Sequence, residues 1–291
     1  MQLLDRRTFL ALTAGTAALG LAGPARAALA SADVFTADPF GGEVDSTIII
    51  GEEKALLVDA QFNLANATRL ADVIAATGKE LETIFITHYH PDHHLGLSVI
   101  MERFPGAKPV AHPMIQPKIA GAAQPMLDNM RAGQPDAFPT SVVIPEVMQG
   151  EALMLEGERI EVLEPMHGDT DLISALHIPS LDTLIASDFA YTGTHAWVAE
   201  NTTPEALEKW RASLAKLEAI GAGTVVPGHR SEDAANDASA FAATRAYLDQ
   251  WEAALAETTN AEDLRAAMMR GNEGKGLGFA LDVAIGAVYP E

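Results

Sequence analysis

Between Thr87 and Gly96 the chain reads Thr-His-Tyr-His-Pro-Asp-His-His-Leu-Gly, the pattern H-x-H-x-D-H with a glycine three residues further on. Side chains two apart in extended backbone point the same way, so His88 and His90 can present both imidazoles to one metal ion. Asp92 and His93 fall where a helix is expected to begin and can turn toward a second ion beside the first. Gly96 would let that helix approach its neighbours closely. The chain has no cysteine, which excludes disulfides, thiol nucleophiles and thiolate ligands and leaves His, Asp and Glu to build any transition-metal site. A polar turn of satisfied histidines is the plain alternative, and four histidines and an aspartate crowded at one strand end argue against it.

On this segment, and on positions that follow it in order, the sequence resembles the metallo-β-lactamase superfamily over essentially all of residues 28–291. Asp59 matches the first-motif aspartate, which typically supports the metal loop, and His167 in Met166-His167-Gly168 matches the next ligand. Asp188 in Ala186-Ser187-Asp188 matches the bridging carboxylate, and His229 in Val226-Pro227-Gly228-His229 the last histidine. The resemblance implies one metal on His88, His90 and His167, a second on Asp92, His93 and His229, and Asp188 bridging both. It implies two zinc ions per chain, with iron or manganese as alternatives, and hydrolysis by a metal-bridging hydroxide formed from a water whose proton Asp92 orients or accepts. Tyr191 follows Asp188 at the spacing at which N-acyl-homoserine lactonases carry a tyrosine facing the substrate carbonyl; core packing with a satisfied hydroxyl is the other reading.

Two departures bear on substrate. Relatives often follow the third-motif histidine with Thr-Pro-Gly, whereas Gly168-Asp169-Thr170-Asp171 follows His167. Asp169 and Asp171 read either as partners of a ligand imidazole or as a solvated acidic turn. Asp188 stands where most true β-lactamases of the superfamily carry cysteine or serine, which resembles lactonases and glyoxalase II-like thioesterases instead. The expectation is an ester or lactone hydrolase, with β-lactams and thioesters next. A mononuclear iron dioxygenase acting on persulfides keeps the same motif and is the alternative from a different class.

These residues need strand ends to hold them. Residues 46–50 and 55–58 read as a hairpin, 64–79 as a helix closed by Gly78, 83–87 as a buried strand, 93–103 as a helix and 109–111 as a short strand. Residues 113–139, rich in Met, Gln, Ala and Pro, read as helix plus irregular loop and as the variable insertion. Residues 153–155 pair with 159–163, and 173–178 with 183–186. A helix at 204–220 and a strand at 224–226 precede a mostly helical end broken at Gly274–Gly278. Strands followed by helices, in two halves, predict an α/β chain folded as a single four-layer αββα sandwich over residues 28–291. Phe40-Gly41-Gly42 is a candidate flap. His94, His112 and His177 read as packed or exposed rather than functional, His195 and Trp197 as pocket wall or surface, and the methionines at 114, 126, 130, 148 and 154 as core or pocket wall.

The formal charge is −21, from 19 Lys and Arg against 40 Asp and Glu. That field repels nucleic acid and points to a small-molecule substrate. Residues 1–27 read as an export signal: Arg6-Arg7 precedes an uncharged stretch ending in Ala25-Arg26-Ala27, which resembles a twin-arginine signal cleaved after Ala27. The expectation is therefore a periplasmic protein with no permanent membrane anchor, with a homodimer left open.

Overall fold

The structure, a computed structural model, describes residues 28–290, so the export-signal reading lies outside the described residues. Strands β1 (Ser31–Thr36), β2 (Asp45–Ile50) and β3 (Lys54–Val58) lead into α1 (Leu64–Ala76), β4 (Glu80–Ile86), α2 (Pro91–His94), α3 (Leu97–Arg103), β5 (Lys108–Ala111), α4 (Gln116–Gly133) and β6 (Glu146–Val147). The second half comprises β7 (Ala152–Leu155), β8 (Glu158–Val162), β9 (Leu176–Ile178), β10 (Thr183–Thr192), α5 (Pro204–Glu218), β11 (Thr224–Arg230), α6 (Ser239–Glu257), α7 (Ala261–Met269) and α8 (Gly278–Val288). One sheet runs β1-β2-β3-β4-β5-β6 and the other β11-β10-β9-β8-β7.

Period-2 alternation builds the layers. Ile49, Leu56, Val58 and Phe85 meet Leu155, Ile160, Leu176 and Ile185 from the other sheet in a core between the sheets. Their neighbours Ile48, Leu57, Ile84 and Ile86 face outward onto Leu70, Ile74, Leu97 and Ile100 of α1 and α3. Leu184, Ala186 and Phe189 face the opposite outer layer, where Trp210, Phe241 and Trp251 of α5 and α6 are fully buried. Strands buried on both faces read as unbroken apolar runs, which is why Ile48-Ile49-Ile50 and Thr83-Ile84-Phe85-Ile86 look as they do. The result is the expected αββα sandwich.

Several boundaries differ from the sequence reading. Residues 31–36 were given no element, yet β1 pairs antiparallel with β2 at the sheet edge, Ser31 opposite Ile50. The helix expected over 93–103 is split into α2 and α3, because the turn after β3 takes backbone bonds there: Ala60 N–H donates to the His93 carbonyl at 2.7 Å, and Gly96 N–H to the Gln61 carbonyl at 2.8 Å. A Cβ on Gly96 would come within 2.7 Å of Ala67 Cβ and 2.9 Å of the Gln61 carbonyl oxygen. Gly96→Ala should therefore destabilise the fold by about 1–3 kcal/mol, read as a lowered thermal midpoint; an unchanged midpoint would show that α3 can shift aside freely. Only 176–178 of the strand expected over 173–178 belongs to β9, since Ile173 bonds Met166 instead. The strand expected over 183–186 runs on to Thr192 as β10. No helix of the described residues is long and apolar enough to cross a membrane.

Candidate metal centre

The chemistry gathers where β3, β4, β10 and β11 end. Asp59 closes β3 in the left-handed region, φ 61°, and is buried. Its Oδ1 accepts from Thr87 N–H at 2.9 Å, and its Oδ2 accepts from Thr87 Oγ1 at 2.8 Å and pairs with His93 Nδ1 at 2.7 Å. That contact turns His93 Nε2 inward. In β10 the register against β11 slips between Ile185, Ser187 and Tyr191, and Ser187 takes φ 50°; such an irregularity re-aims a side chain, here Asp188. Gly228 has to be glycine, because a Cβ there would sit 2.7 Å from Asp188 N.

Two groups of donors result: His88, His90, Asp169 and Asp188, and Asp92, His93 and His229. Asp188 ties them together. Its Oδ1 lies 3.1 Å from His93 Nε2, and its Oδ2 lies 3.7 Å from His88 Nε2 and 3.2 Å from His229 Nε2. His90 Nδ1 is 3.1 Å from Asp169 Oδ2, and His229 Nε2 is 3.3 Å from Asp92 Oδ2. The outward nitrogens are held as well: His88 Nδ1 by Thr87 Oγ1 at 3.0 Å, His90 Nε2 by Glu200 Oε1 at 2.8 Å, and His229 Nδ1 by the Gly42 carbonyl at 2.7 Å. Imidazoles fixed through one nitrogen present the other to a cation. Buried His88 Nε2, His93 Nε2, Asp169 Oδ1 and Asp188 Oδ1 make no hydrogen bond, a costly arrangement for polar atoms that converging metal ligation resolves. The donor set, imidazole and carboxylate without sulfur, suits zinc, iron or manganese.

Six of the seven residues expected as ligands, His88, His90, Asp92, His93, Asp188 and His229, fall in these two groups. His167 does not. Its Nε2 lies 2.7 Å from Asn201 Oδ1, and Asp169, two residues on, occupies the place beside His90. Asn201 Nδ2 fixes that turn by donating to the carbonyls of Gly168 at 3.2 Å and Asp169 at 2.7 Å. The sequence held a hint of this: Thr170 directly follows Asp169, as a threonine directly follows the third-motif histidine in many relatives. Asp171 pairs with Lys118 at 2.7 Å, away from the imidazoles.

Glu200, which the sequence reading passed over, pins the wall of the site. It bonds His90 through Oε1, and through Oε2 accepts from Tyr89 Oη at 3.0 Å and Thr170 Oγ1 at 2.8 Å. No periodicity or motif marks it, because its partners lie 30 and 110–111 residues away. Tyr191 is buried and donates toward Asp188 Oδ2 at 2.8 Å and Asp169 Oδ2 at 2.9 Å, and its ring stacks on His229 at 5.0 Å. His94 is buried with its Nε2 at the Tyr89 carbonyl, and His195 pairs with Tyr247. Asp38 and Asn66 fasten the Phe40-Gly41-Gly42 turn beside the site through Asn66 Nδ2 to Asp38 Oδ1 at 3.0 Å.

Burial alone would lower the His229 pKa, but Asp188 and Asp92 outweigh it and push it up to about 10. Burial raises Asp169 to about 7 against the pull of His90. Burial opposes ionisation of Glu200 too, but its bonds to His90, Thr170 and Tyr89 hold it down near 2. In the metal-free chain the neighbouring carboxylates thus favour a proton on His229, and burial favours one on Asp169. Ligating a cation displaces such protons, and raising the pH removes that competition. Cation affinity should accordingly rise between pH 5 and 8. Calorimetric titration in buffers of differing ionisation enthalpy should register proton release; none would contradict this charge arrangement.

Residues 39–229 match the Metallo-beta-lactamase superfamily. Among solved structures, a metallo-beta-lactamase family protein from Thermus thermophilus superposes with TM-score 0.61 at 21% identity, covering 88% of this chain and 92% of that one. A stereoselective inverting sec-alkylsulfatase from a Pseudomonas species gives 0.59 at 14% identity over 89% and 50%. A metallo-beta-lactamase from Pontibacter korlensis gives 0.50 at 20% over 75% and 93%. No curated protein matches the chain. With nearly two hundred residues matched, and the αββα sandwich carrying its donors at the strand ends, the chain belongs to the metallo-β-lactamase superfamily, whose members are mostly metal-dependent hydrolases.

Proposed function

We propose that the protein is a dinuclear, zinc-dependent hydrolase that cleaves a small-molecule ester or lactone. The observation that carries this reading is Asp188, a buried carboxylate that lies 3.1–3.7 Å from imidazoles of both donor groups. A one-metal oxidation centre keeps Asp92 and His93 within the same motif, so the number and identity of the bound ions separate the two readings. Bound cations would supply Lewis acidity, bringing the pKa of water toward neutrality and polarising the acyl oxygen.

The chain's own residues supply the rest. Asp92 lines the cavity with its side chain 19% exposed, so its carboxylate can orient an attacking water and accept its proton. Tyr191 also lines the cavity. Burial, then Asp169 and Asp188, hold its pKa well above 10, so it keeps its proton at neutral pH and can donate to the oxygen of the tetrahedral transition state. Collapse breaks the acyl C–O bond, and the proton held at Asp92 passes to the leaving alkoxide.

Tyr191→Phe should lower kcat by about 10–10³-fold with KM and metal content nearly unchanged; unaltered turnover would remove Tyr191 from the mechanism. The reading as a whole is tested on mature protein stripped and reloaded with zinc. Metal analysis should find two ions per chain. p-Nitrophenyl esters and homoserine lactones should turn over faster than a thioester or a chromogenic cephalosporin. Cephalosporin turnover above every ester would overturn the substrate order, and a single iron with persulfide-dependent oxygen uptake would replace hydrolysis by oxidation.

A further inference from the structure

The cavity over the metal centre has a volume of about 310 Å³, at the small end for ligand sites, which span roughly 300–1,000 Å³. Away from the donors its walls are apolar: Phe62, Met126, Met130, Trp197, Leu277 and Phe279. Met126 and Met130, one turn apart on α4, are flexible side chains that adapt to an alkyl chain. Trp197 and Phe279 face each other at 6.4 Å, and Phe279 is half exposed at the rim. The charged residues on the wall besides histidine are all acidic, Asp92, Asp169, Asp188 and Glu200, and no lysine or arginine lines it among the described residues.

The basic residues closest in sequence or space are committed elsewhere. Lys118 sits over the Tyr89 ring but pairs with Asp171. Arg131 is spent on the carbonyls of Pro135, Phe138 and Pro139. Arg230, next to the ligand His229, is buried against Asp45 at 3.2 Å, and Lys275 lies over Tyr247. A substrate with a second anionic group would have to place it against carboxylates or apolar side chains, with no counter-ion to offset its desolvation.

We propose that the site selects uncharged esters or lactones carrying a short-to-medium apolar chain, and rejects substrates with a carboxylate, sulfate or phosphate away from the scissile bond. This rests on the hydrolase reading for its turnover, but not for its binding. Octan-1-ol and 8-hydroxyoctyl sulfate, alike in hydroxyl head and chain and different in a sulfate at the far end, are titrated against zinc-loaded protein while its tryptophan fluorescence is followed; Trp197→Phe identifies the signal from the cavity. Octan-1-ol should bind at least tenfold more tightly. Asn129→Lys, at an exposed position on the cavity wall, and Met130→Arg should each narrow that gap, with circular dichroism confirming the fold.

In parallel, kcat/KM for p-nitrophenyl esters should rise two- to fourfold per methylene until the chain fills the cavity. The 8-hydroxyoctyl sulfate binding as tightly as octan-1-ol, or a flat chain-length series, would overturn the proposal and leave hydrolysis standing. A preference for octan-1-ol with no turnover of any ester would instead uphold the selectivity and sink the hydrolase reading.

Discussion

Asp188→Asn should reduce turnover by at least about 10³-fold, because it strips charge from the one carboxylate shared by both donor groups. Metal content should fall as well, on the proposed dinuclear centre from two ions per chain toward one or none. The size of the effect follows from geometry: Asp188 is almost fully buried, and its oxygens lie between 3.1 and 3.7 Å from His88, His93 and His229. An asparagine replaces one of those oxygens with an NH2 group, which turns its hydrogens toward the cations and offers them no lone pair. Full-length protein with native circular dichroism, two bound zinc ions and wild-type turnover in this variant would remove the shared-carboxylate arrangement.

Asp169→Ala and His167→Ala should separate sharply. Removing the Asp169 carboxylate should weaken one cation by about 10²-fold or more, whereas His167→Ala should leave both ions in place, since His167 reaches only Asn201. The reverse result would restore His167 as the ligand. The first group, with two imidazoles and two carboxylates, is also richer in oxygen than a three-histidine site. Asp169→His should therefore strengthen its preference for zinc over manganese and iron, measured by competition between the metals for the stripped protein.

Much of the site was written in local sequence. His88, His90, Asp92 and His93 lie within six consecutive residues, and the two-residue repeat of an extended chain fixes which way they point. The sandwich was legible for a related reason: buried strands such as 46–50 and 83–87 must be apolar on both faces. Boundaries failed where long-range backbone bonds decide them. The break between α2 and α3 comes from bonds to Ala60 and Gln61, and the length of β10 comes from its parallel partner β11.

The amino-acid sequence by itself determined the donor chemistry, sulfur-free and rich in histidine and aspartate, and the strand ends that carry it. Only the tertiary structure decided which donor stands beside His90. A turn held by Asn201 carries Asp169 there and leaves His167 outside, a choice that depends on contacts more than thirty residues apart. It also decided the character of the cavity, because Phe62, Met130, Trp197 and Phe279 come from segments that meet only after both sheets have packed.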